Sequence, residues 1–322
     1  MNGFGSFLKD VMDRYVEFLK AGGRYNDFTA AALRSFDRHC AAFSNESEGL
    51  GLSQYMADSW CSKRESETNL SCRARINPVI NLLTYMKERG YTDIDIPEKP
   101  KWKRGSYIPH AFSKEEFIRF FKECDSIPLK GNSPDAKNRK ITPPVLFRLL
   151  YSSGMRVFEI RFLKRNDVDL KTGIISIRKS KRNIEHFVVI HDSLIDSLRR
   201  YDEIISELYP DREYFFPGIN DSPFLNAKWL CANFKKLWKK ANGKDVIPYD
   251  LRHNYIIENI NRWVNDDDFF SHFVYLSKSC GHTCLKSTKY YFSFVPAVSA
   301  IIDDINESSF NSLIPEVDYE DF

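Results

Sequence analysis

Residues 280–292 read CGHTCLKSTKYYF. Within this stretch Gly281 and His282 are followed, nine residues after the histidine, by Tyr291, the second of two adjacent tyrosines. Side chains one position apart on a helix point about 100° away from each other, so only one of Tyr290 and Tyr291 can face a given site. A tyrosine is usually a core residue in a chain that has 16 of them.

Three upstream segments complete a pattern with this stretch. Residues 154–160 read GMRVFEI, residues 178–183 read RKSKRN, and residues 248–255 read PYDLRHNY. Their order and spacing resemble the tyrosine recombinases of the phage integrase family. That family has an arginine in a G-(L/M)-R-x-x-E-(I/L) segment, a lysine on a strand turn, an H-x-L-R-H box, and an L-G-H segment followed by the nucleophilic tyrosine. The resemblance covers the whole chain.

The resemblance implies an active site that cuts and rejoins DNA without a metal or nucleotide cofactor. Two arginines would hold the non-bridging phosphate oxygens through paired, charge-assisted hydrogen bonds, and a lysine would protonate the leaving 5′ oxygen. The tyrosine would form a 3′-phosphotyrosine that conserves the energy of the broken strand. The implied catalytic residues are Arg156, Lys181, Tyr249, Arg252, His282 and Tyr291, with Glu159 and His253 orienting them.

Some of these assignments have alternatives. Lys179 competes with Lys181 because the register of a strand turn slips easily. Arg156 taken alone would be expected to pair with Glu159 three residues on. Tyr249 stands where the family usually has a histidine; its phenol can donate a hydrogen bond but is a much weaker base than imidazole at pH 7. We therefore expect Tyr249 to donate to the phosphate and not to abstract a proton.

Hydrophobic periodicity predicts a mainly α fold. Apolar residues at three- and four-residue intervals up to residue 90 indicate four helices, and the prolines and basic residues of 96–112 interrupt this periodicity. We expect four regions: an N-terminal helical bundle (1–95), which the resemblance makes a SAM-like core-binding DNA domain, a basic linker (96–112), a mostly α catalytic domain with a small antiparallel β-sheet (113–294), and a C-terminal helix with an acidic tail (295–322).

Local signals place elements within the second domain. Ser113 and Glu116 form a capping-box pattern, and a further helix runs from about residue 143 to Gly154. Residues 173–190 predict two or three short strands, and Asp250 is expected to cap the helix that carries Arg252. Later helices are expected at 192–208, 224–241, 250–264, 268–278 and 296–306.

The net charge of +3 hides an uneven distribution. Seven acids follow Lys289, the last basic residue, so the chain up to residue 301 has 47 basic against 37 acidic residues, or +10.

The seven cysteines are an odd number without a CxxC pair, which indicates reduced thiols, and the alternate positions of Cys280, His282 and Cys284 predict no metal site. No apolar run reaches the roughly 18 residues of a membrane span, so we expect a cytoplasmic protein without a membrane partner.

The expected partner is a double-stranded DNA recombination site, bound by a homotetramer that holds two such sites. The acidic tail either contacts a neighbouring protomer or folds back on its own domain. Two other functions compete with a site-specific recombinase of the integrase, transposase or Xer type: a type IB-like topoisomerase and a catalytically silent DNA-binding regulator. The predicted DNA-contacting residues are Arg34, Arg38, Lys63, Arg64, Arg73, Arg75, Lys99, Lys101, Lys103, Arg104, Lys179 and Arg182.

Overall fold

The computed structural model describes residues 3–43, 51–101, 108–180 and 185–294. The chain divides into two compact units, Met1–Ser106 and Tyr107–Phe322. None of the helices in the described ranges is long and apolar enough to cross a membrane. Several sequence predictions lie outside the described residues, namely those for Lys103, Arg104, Lys181, Arg182, the C-terminal helix and the acidic tail.

The described part of the first unit contains the four predicted helices. These are α1 (Lys9–Ala21), α2 (Asp27–Ala42), α3 (Gln54–Cys61) and α4 (Asn69–Glu88). The side chains of Asn26, Ser53 and Thr68 accept hydrogen bonds from the first turns of α2, α3 and α4, which satisfies amides that a helix leaves free. Fully buried apolar side chains such as Met12 and Phe36 fill the space between the helices.

The start of the predicted linker packs along α4. Asn69 donates to the carbonyl oxygen of Lys101 over 2.9 Å, and Nη1 of Arg73 donates to that of Pro100 over 3.0 Å. Nζ of Lys99 donates to Asn77 over 2.6 Å. The chain up to residue 101 therefore belongs structurally to the helical bundle.

The second unit is mostly helical in its described part. Its helices are α5 (Lys114–Asp125), α6 (Pro134–Ser153), α7 (Val157–Arg161), α8 (Asp192–Leu208), α9 (Ala227–Asn242), α10 (Pro248–Trp263), α11 (Phe269–Ser279) and α12 (Lys286–Lys289). The rings of Phe120, Phe147, Phe234 and Trp238 pack at centroid distances of 5.0–5.9 Å and form the centre of its core. The mainly α prediction is confirmed.

Helix α6 begins earlier than predicted. Its first residue is Pro134 instead of a position near 143, and the hydroxyl of Ser133 accepts from the amide of Ala136 over 3.2 Å. Proline suits the first helical position because the missing N–H would have no partner there. Pro143 and Pro144 lie inside the helix. The helix ends at Gly154, whose φ of 61° is left-handed.

A small antiparallel sheet interrupts the helices. Its strands, β1 (Val168–Asp169), β2 (Ile174–Ile177) and β3 (His186–Val189), lie in chain order. Alternation places Val188 in the core and leaves Phe187 exposed, as expected for a sheet with one solvated face. Strand β3 presents His186 on the same buried side as Val188.

Helix α10 carries the second arginine of the sequence pattern and differs from the prediction at its start. The N-cap is Ile247, Pro248 is the first helical residue, and Asp250 is three residues inside the cap. The carboxylate of Asp250 accepts from the backbone amide of Ile247 over 3.3 Å, which is the outer half of a capping box. Asp250 therefore stabilises the helix start without being its N-cap.

Candidate active site

Two arginines tie together three segments that are far apart in the sequence. Nη1 of Arg252 donates to the carbonyl oxygen of Gly154, and its Nη2 donates to that of Cys280, both over 2.7 Å. Nη2 of Arg156 donates to the carbonyl oxygen of Gly281 over 3.1 Å. The segments GMR, LRH and CGH of the sequence pattern thus meet at one place through these three hydrogen bonds.

Glu159 orients Arg156. Its Oε1 accepts from Nη1 of Arg156 over 2.5 Å, and its Oε2 accepts from the backbone amide of the same residue over 2.8 Å. The side chain of Glu159 is fully buried, whereas the guanidinium of Arg156 is partly exposed. Arg156 therefore pairs with Glu159 three residues on, as expected for Arg156 alone, and the same carboxylate orients its guanidinium at the surface of the cluster.

Gly154 and Gly281, the two glycines of the pattern, each combine a left-handed backbone with a neighbouring side chain that leaves no room for a Cβ. Gly154 and Gly281 both have a φ of 61°. A Cβ at position 154 would lie 2.3 Å from Cδ1 of Tyr255, and one at position 281 would lie 2.7 Å from Cε1 of His186. Any other residue would be strained and would collide, which explains why glycine precedes each of Met155 and His282.

His282 is held as a neutral imidazole. Nη2 of Arg252 lies 3.0 Å from its Nε2, and its Nδ1 lies 2.6 Å from Oγ1 of Thr288. Arginine can only donate, so Nε2 is the acceptor and the proton is on Nδ1. Burial, together with the charges of Arg252 and Arg156, lowers the pKa of His282 to about 3.

Tyr291 is buried between two histidine rings. It is 3% exposed, whereas Tyr290 is 45% exposed. Its ring centroid lies 5.5 Å from that of His253 and 6.5 Å from that of His282, the latter ring being nearly parallel at 15°. Burial raises the pKa of the Tyr291 phenol, so the hydroxyl is protonated in the free protein. Of the two adjacent tyrosines, Tyr291 is the one that the structure brings to the histidines and to Arg252.

Tyr249 lies on the first turn of α10 and is exposed. Its ring packs edge-on against His253 with a centroid distance of 4.8 Å. Burial lowers the pKa of His253 below its usual value, so this imidazole is neutral at pH 7. His253 thus lies between the tyrosine that replaces the family's usual histidine and the candidate nucleophile.

The basic hairpin turn is described only at its edges. Nζ of Lys179 lies 3.9 Å from the ring centroid of Phe162, a cation–π contact, and Nε of Arg178 donates to Asp167 over 2.7 Å. Lys181 and Arg182 lie outside the described residues. The assignment of the proton donor to Lys181, with Lys179 as the alternative, therefore stays a prediction.

His186 belongs to the cluster although sequence reasoning missed it. The ring lies against Gly281, and its Nε2 is 3.9 Å from Oε2 of Glu159. One signal was available: a histidine on the buried face of a β-branched strand must meet polar groups. That signal could not say which polar groups, because strand register and packing are non-local.

The basic residues proposed to contact DNA in the first unit differ in their availability. Arg34, Arg38, Lys63, Arg64 and Lys101 are exposed, and Arg73 and Lys99 are partly buried by their contacts with the chain. Arg75 is used internally: it donates to both carboxylate oxygens of Glu67 and to the carbonyl oxygens of Trp60 and Ser62. Its side chain is only 14% exposed, so we remove Arg75 from the proposed DNA contacts.

The cysteines near the site carry no sign of a metal centre. Cys280 is a buried free thiol whose pKa is raised by burial, and Cys284 is exposed. Within the ranges that the structure describes, no three side chains of His, Cys, Asp or Glu are grouped to hold a metal ion.

Comparison with known proteins places the chain among DNA recombinases. Residues 112–294 match the family model described as "Phage integrase family". The tyrosine recombinase XerA of Thermococcus kodakarensis is 28% identical over 222 residues, which are 67% of this chain and 69% of that protein. The tyrosine recombinase XerD of Rhizobium meliloti is 26% identical over 261 residues, or 77% and 82% of the two chains.

A solved structure shares the fold. The crystal structure of the XerH site-specific recombinase bound to palindromic difH substrate aligns with a TM-score of 0.59 at 17% identity, over 87% of this chain and 79% of that one. At this identity the likeness is one of fold. The family match covers more than half of the chain and contains the whole cluster of Arg156, Arg252, His282 and Tyr291. The chain therefore belongs to the phage integrase family.

Proposed function

We propose that this protein is a site-specific DNA recombinase that cleaves and rejoins strands through a 3′-phosphotyrosine on Tyr291 and a four-stranded junction. The observation that carries the proposal is the cluster in which Arg156 and Arg252 hold the segment 280–282 and the His282 ring lies nearly parallel to that of Tyr291. Family membership supports the same activity. The cluster of Arg156, Arg252, His282 and Tyr291 speaks against a silent regulator of the same fold.

The arginine cluster is suited to a phosphodiester. Within the described part of the chain, the buried Nε–H of Arg252 has no hydrogen-bond partner, although both Nη groups of this residue donate to backbone carbonyls. A buried donor left in this way costs free energy until an acceptor arrives. A non-bridging phosphate oxygen is such an acceptor, and it would gather negative charge in the transition state.

The attacking phenol must lose its proton. As Oη of Tyr291 bonds to phosphorus, the bond from phosphorus to the 5′ oxygen breaks and the phenol proton moves to a base. Two imidazoles contact the Tyr291 ring, but in His282 Nε2 accepts from Arg252 and the proton on Nδ1 is donated to Thr288. We therefore assign the proton to His253, which is neutral at pH 7 and lies against Tyr291.

The leaving 5′ oxygen must gain a proton. The resemblance assigns this donor to a lysine of the β2–β3 connection, Lys181, with Lys179 as the alternative. Tyr249, exposed at the start of α10, would donate a hydrogen bond to a phosphoryl oxygen. No nucleotide cofactor is needed, because the phosphotyrosine bond keeps the energy for rejoining.

The two units would divide the work on a DNA site. The second unit would cut the strand, and the first would bind the flanking duplex as a core-binding domain. We propose that four copies hold two DNA sites and exchange one strand of each at a time. The acidic residues after Lys289 would contact a neighbouring protomer; deletion of residues 309–322 should then weaken assembly on DNA in light scattering while leaving single-site binding intact.

The test is a nicked suicide substrate that traps the covalent intermediate. Because the recognition site is unidentified, the substrate is selected from a random duplex library by binding to the full chain. We expect the wild type and Tyr290→Phe to form a protein–DNA adduct on denaturing gels and Tyr291→Phe to form none. An adduct with Tyr291→Phe, or none with the wild type, would overturn the mechanism.

The closest competing function is a topoisomerase of the same chemistry. Both enzymes form the phosphotyrosine, so the adduct alone does not separate them. With two selected sites on one supercoiled plasmid, a recombinase gives exchanged products, whereas a topoisomerase gives relaxed circles with the sites unchanged.

A further inference from the structure

His186 is a buried polar residue that the proposed chemistry does not use. It is the first residue of β3 and pairs with Ile177, the last residue of β2. The residue is 8% exposed and lies on the side of the strand that Val188 buries in the core. A polar ring at such a position requires polar surroundings, which here belong to the arginine cluster.

The imidazole is wedged between two parts of that cluster. Its Nε2 lies 3.9 Å from Oε2 of Glu159, the carboxylate that holds Arg156. Its Cε1 and Nδ1 occupy the space that a Cβ at Gly281 would need, at 2.7 Å and 2.8 Å. His186 thus contacts the group that orients one arginine and the backbone directly before His282.

This contact is at the base of the β2–β3 connection. Residues 178–185 join the two strands and include both candidate lysines. The strands are paired from Ile174 with Val189 to Ile177 with His186, so the His186 contact fixes the end of the hairpin nearest the connection. A displacement of this pair would displace the start and the end of the lysine-bearing segment together.

We propose that His186 is a positioning residue that anchors the β2–β3 hairpin against Glu159 and Gly281, so that the hairpin lysine delivers its proton to the leaving 5′ oxygen. This inference rests on the proposed function. It predicts a defect confined to leaving-group protonation. A structural role in the fold as a whole would instead slow every step that the cluster performs.

A sulphur substrate separates these two roles. In a 5′-bridging phosphorothiolate the bond from phosphorus to sulphur breaks and a thiolate leaves. Thiols ionise near pH 8.5 in model compounds, far below alcohols, so the thiolate departs without an acid. A variant that has lost only the delivery of the proton therefore recovers on sulphur, whereas a variant with a damaged arginine clamp does not.

The experiment measures single-turnover adduct formation by His186→Ala on nicked DNA with oxygen or sulphur at the bridging position. We expect cleavage of the oxygen substrate to slow about 10- to 100-fold, as for residues that orient catalytic groups, and cleavage of the sulphur substrate to stay within about threefold of the wild type. His186→Gln, which keeps a polar side chain, should be less impaired. Phe187→Ala, next on the strand but 66% exposed on the opposite face, should match the wild type on both substrates.

Two results would overturn the inference. Equal slowing on oxygen and sulphur, as expected for Arg252→Lys, would show that His186 acts through the clamp or the fold. An unchanged rate on the oxygen substrate would show that His186 does not position the hairpin lysine. Absence of a Tyr291 adduct in the wild type with either substrate is the separate result that rejects the proposed function itself.

Discussion

Nη2 of Arg252 donates a hydrogen bond to Nε2 of His282 over 3.0 Å. In this state Nε2 of His282 accepts from Arg252, and the only ring proton, on Nδ1, is donated to Thr288. His282 therefore cannot donate to a phosphate until the cluster rearranges. A phosphate that accepts from Nη2 of Arg252 would leave Nε2 of His282 as a bare acceptor, so His282 could donate to that phosphate only after Nε2 gains a proton.

The buried state of His282 makes stability depend on pH. Its pKa is about 3 in the folded protein, below the value near 6.5 of an unfolded histidine, so the unfolded state binds more protons between these values. This stabilising contribution is complete above about pH 6.5 and is lost as the pH falls toward 3. We expect the free energy of unfolding of the wild type to fall more steeply than that of His282→Gln between pH 6 and 4, by at most about 1.4 kcal/mol per pH unit.

Urea denaturation of the two full-length proteins at several pH values measures this difference. His253 also has a lowered pKa, but it is present in both proteins and cancels in the comparison. Parallel slopes for wild type and variant would mean that His282 is not held neutral by burial and by the two arginines.

Arg252→Lys tests whether the guanidinium bridges the carbonyls of Gly154 and Cys280 as well as binding phosphate. A lysine keeps the charge but lacks the planar fork that reaches both oxygens. We expect a loss of roughly 1–3 kcal/mol of unfolding free energy for each buried carbonyl left without a donor, and no detectable adduct on the suicide substrate. Urea denaturation measures the first effect.

The matched control is Arg148→Lys. Arg148 forms a two-pronged pair with Asp125 at the surface, so its replacement should cost less than about 1 kcal/mol. If Arg252→Lys were as stable as this control, the bridging contacts would contribute little to holding the three segments together.

A histidine placed at position 249 should restore part of the activity that is lost when His253 is replaced. His253→Gln removes the proposed proton acceptor, and we expect adduct formation to slow by about 100-fold. Positions 249 and 253 share a helix face, so a histidine at 249 would lie beside the missing imidazole. Tyr249→His in the His253→Gln background should therefore recover at least about tenfold, whereas Tyr249→Phe in that background should not.

The pH profile of the same assay identifies the group involved. With His253 as the base, the acidic limb of the rate profile should be present in the wild type, absent in His253→Gln and restored in the double variant with histidine at 249. A wild-type rate for His253→Gln would assign the phenol proton to another acceptor.

The sequence predicted those parts of the site that have local signals. Gly154 and Gly281 mark turns that favour glycine, and the resemblance to the phage integrase family assigned the chemistry to Arg156 and His282 close after them. The strand pattern indicates that His186 needs polar neighbours but does not say which, because Glu159 and Gly281 come from other segments. The same holds for Arg75, whose pairing with Glu67 across eight residues is set by the packing of α3 and α4.

The predicted starts of helices α6 and α10 are wrong. The helix predicted from about residue 143 starts nine residues earlier, at the Ser133–Pro134 pair, and Pro143 and Pro144 lie within it. Asp250 looked like an N-cap, yet Pro248 is already helical and moves the cap to Ile247. In both cases a serine or proline at the true start lies upstream of the predicted start.

Salt dependence of DNA binding separates the arginines of the first unit. Each phosphate contact removed should reduce the slope of log affinity against log salt by about 0.9. We expect this for Arg34→Ala and for Arg38→Ala, whose side chains are exposed on α2, in fluorescence anisotropy from about 50 to 200 mM salt.

Arg75→Ala should behave differently. Its guanidinium holds Glu67, whose pKa it lowers to about 2, and the carbonyls of Trp60 and Ser62, so its loss should destabilise the bundle and leave the salt slope unchanged. Binding is compared at a temperature where circular dichroism shows that the variant is still folded. A reduced slope for folded Arg75→Ala would return this residue to the DNA surface, and an unchanged slope for both α2 variants would move that surface away from α2.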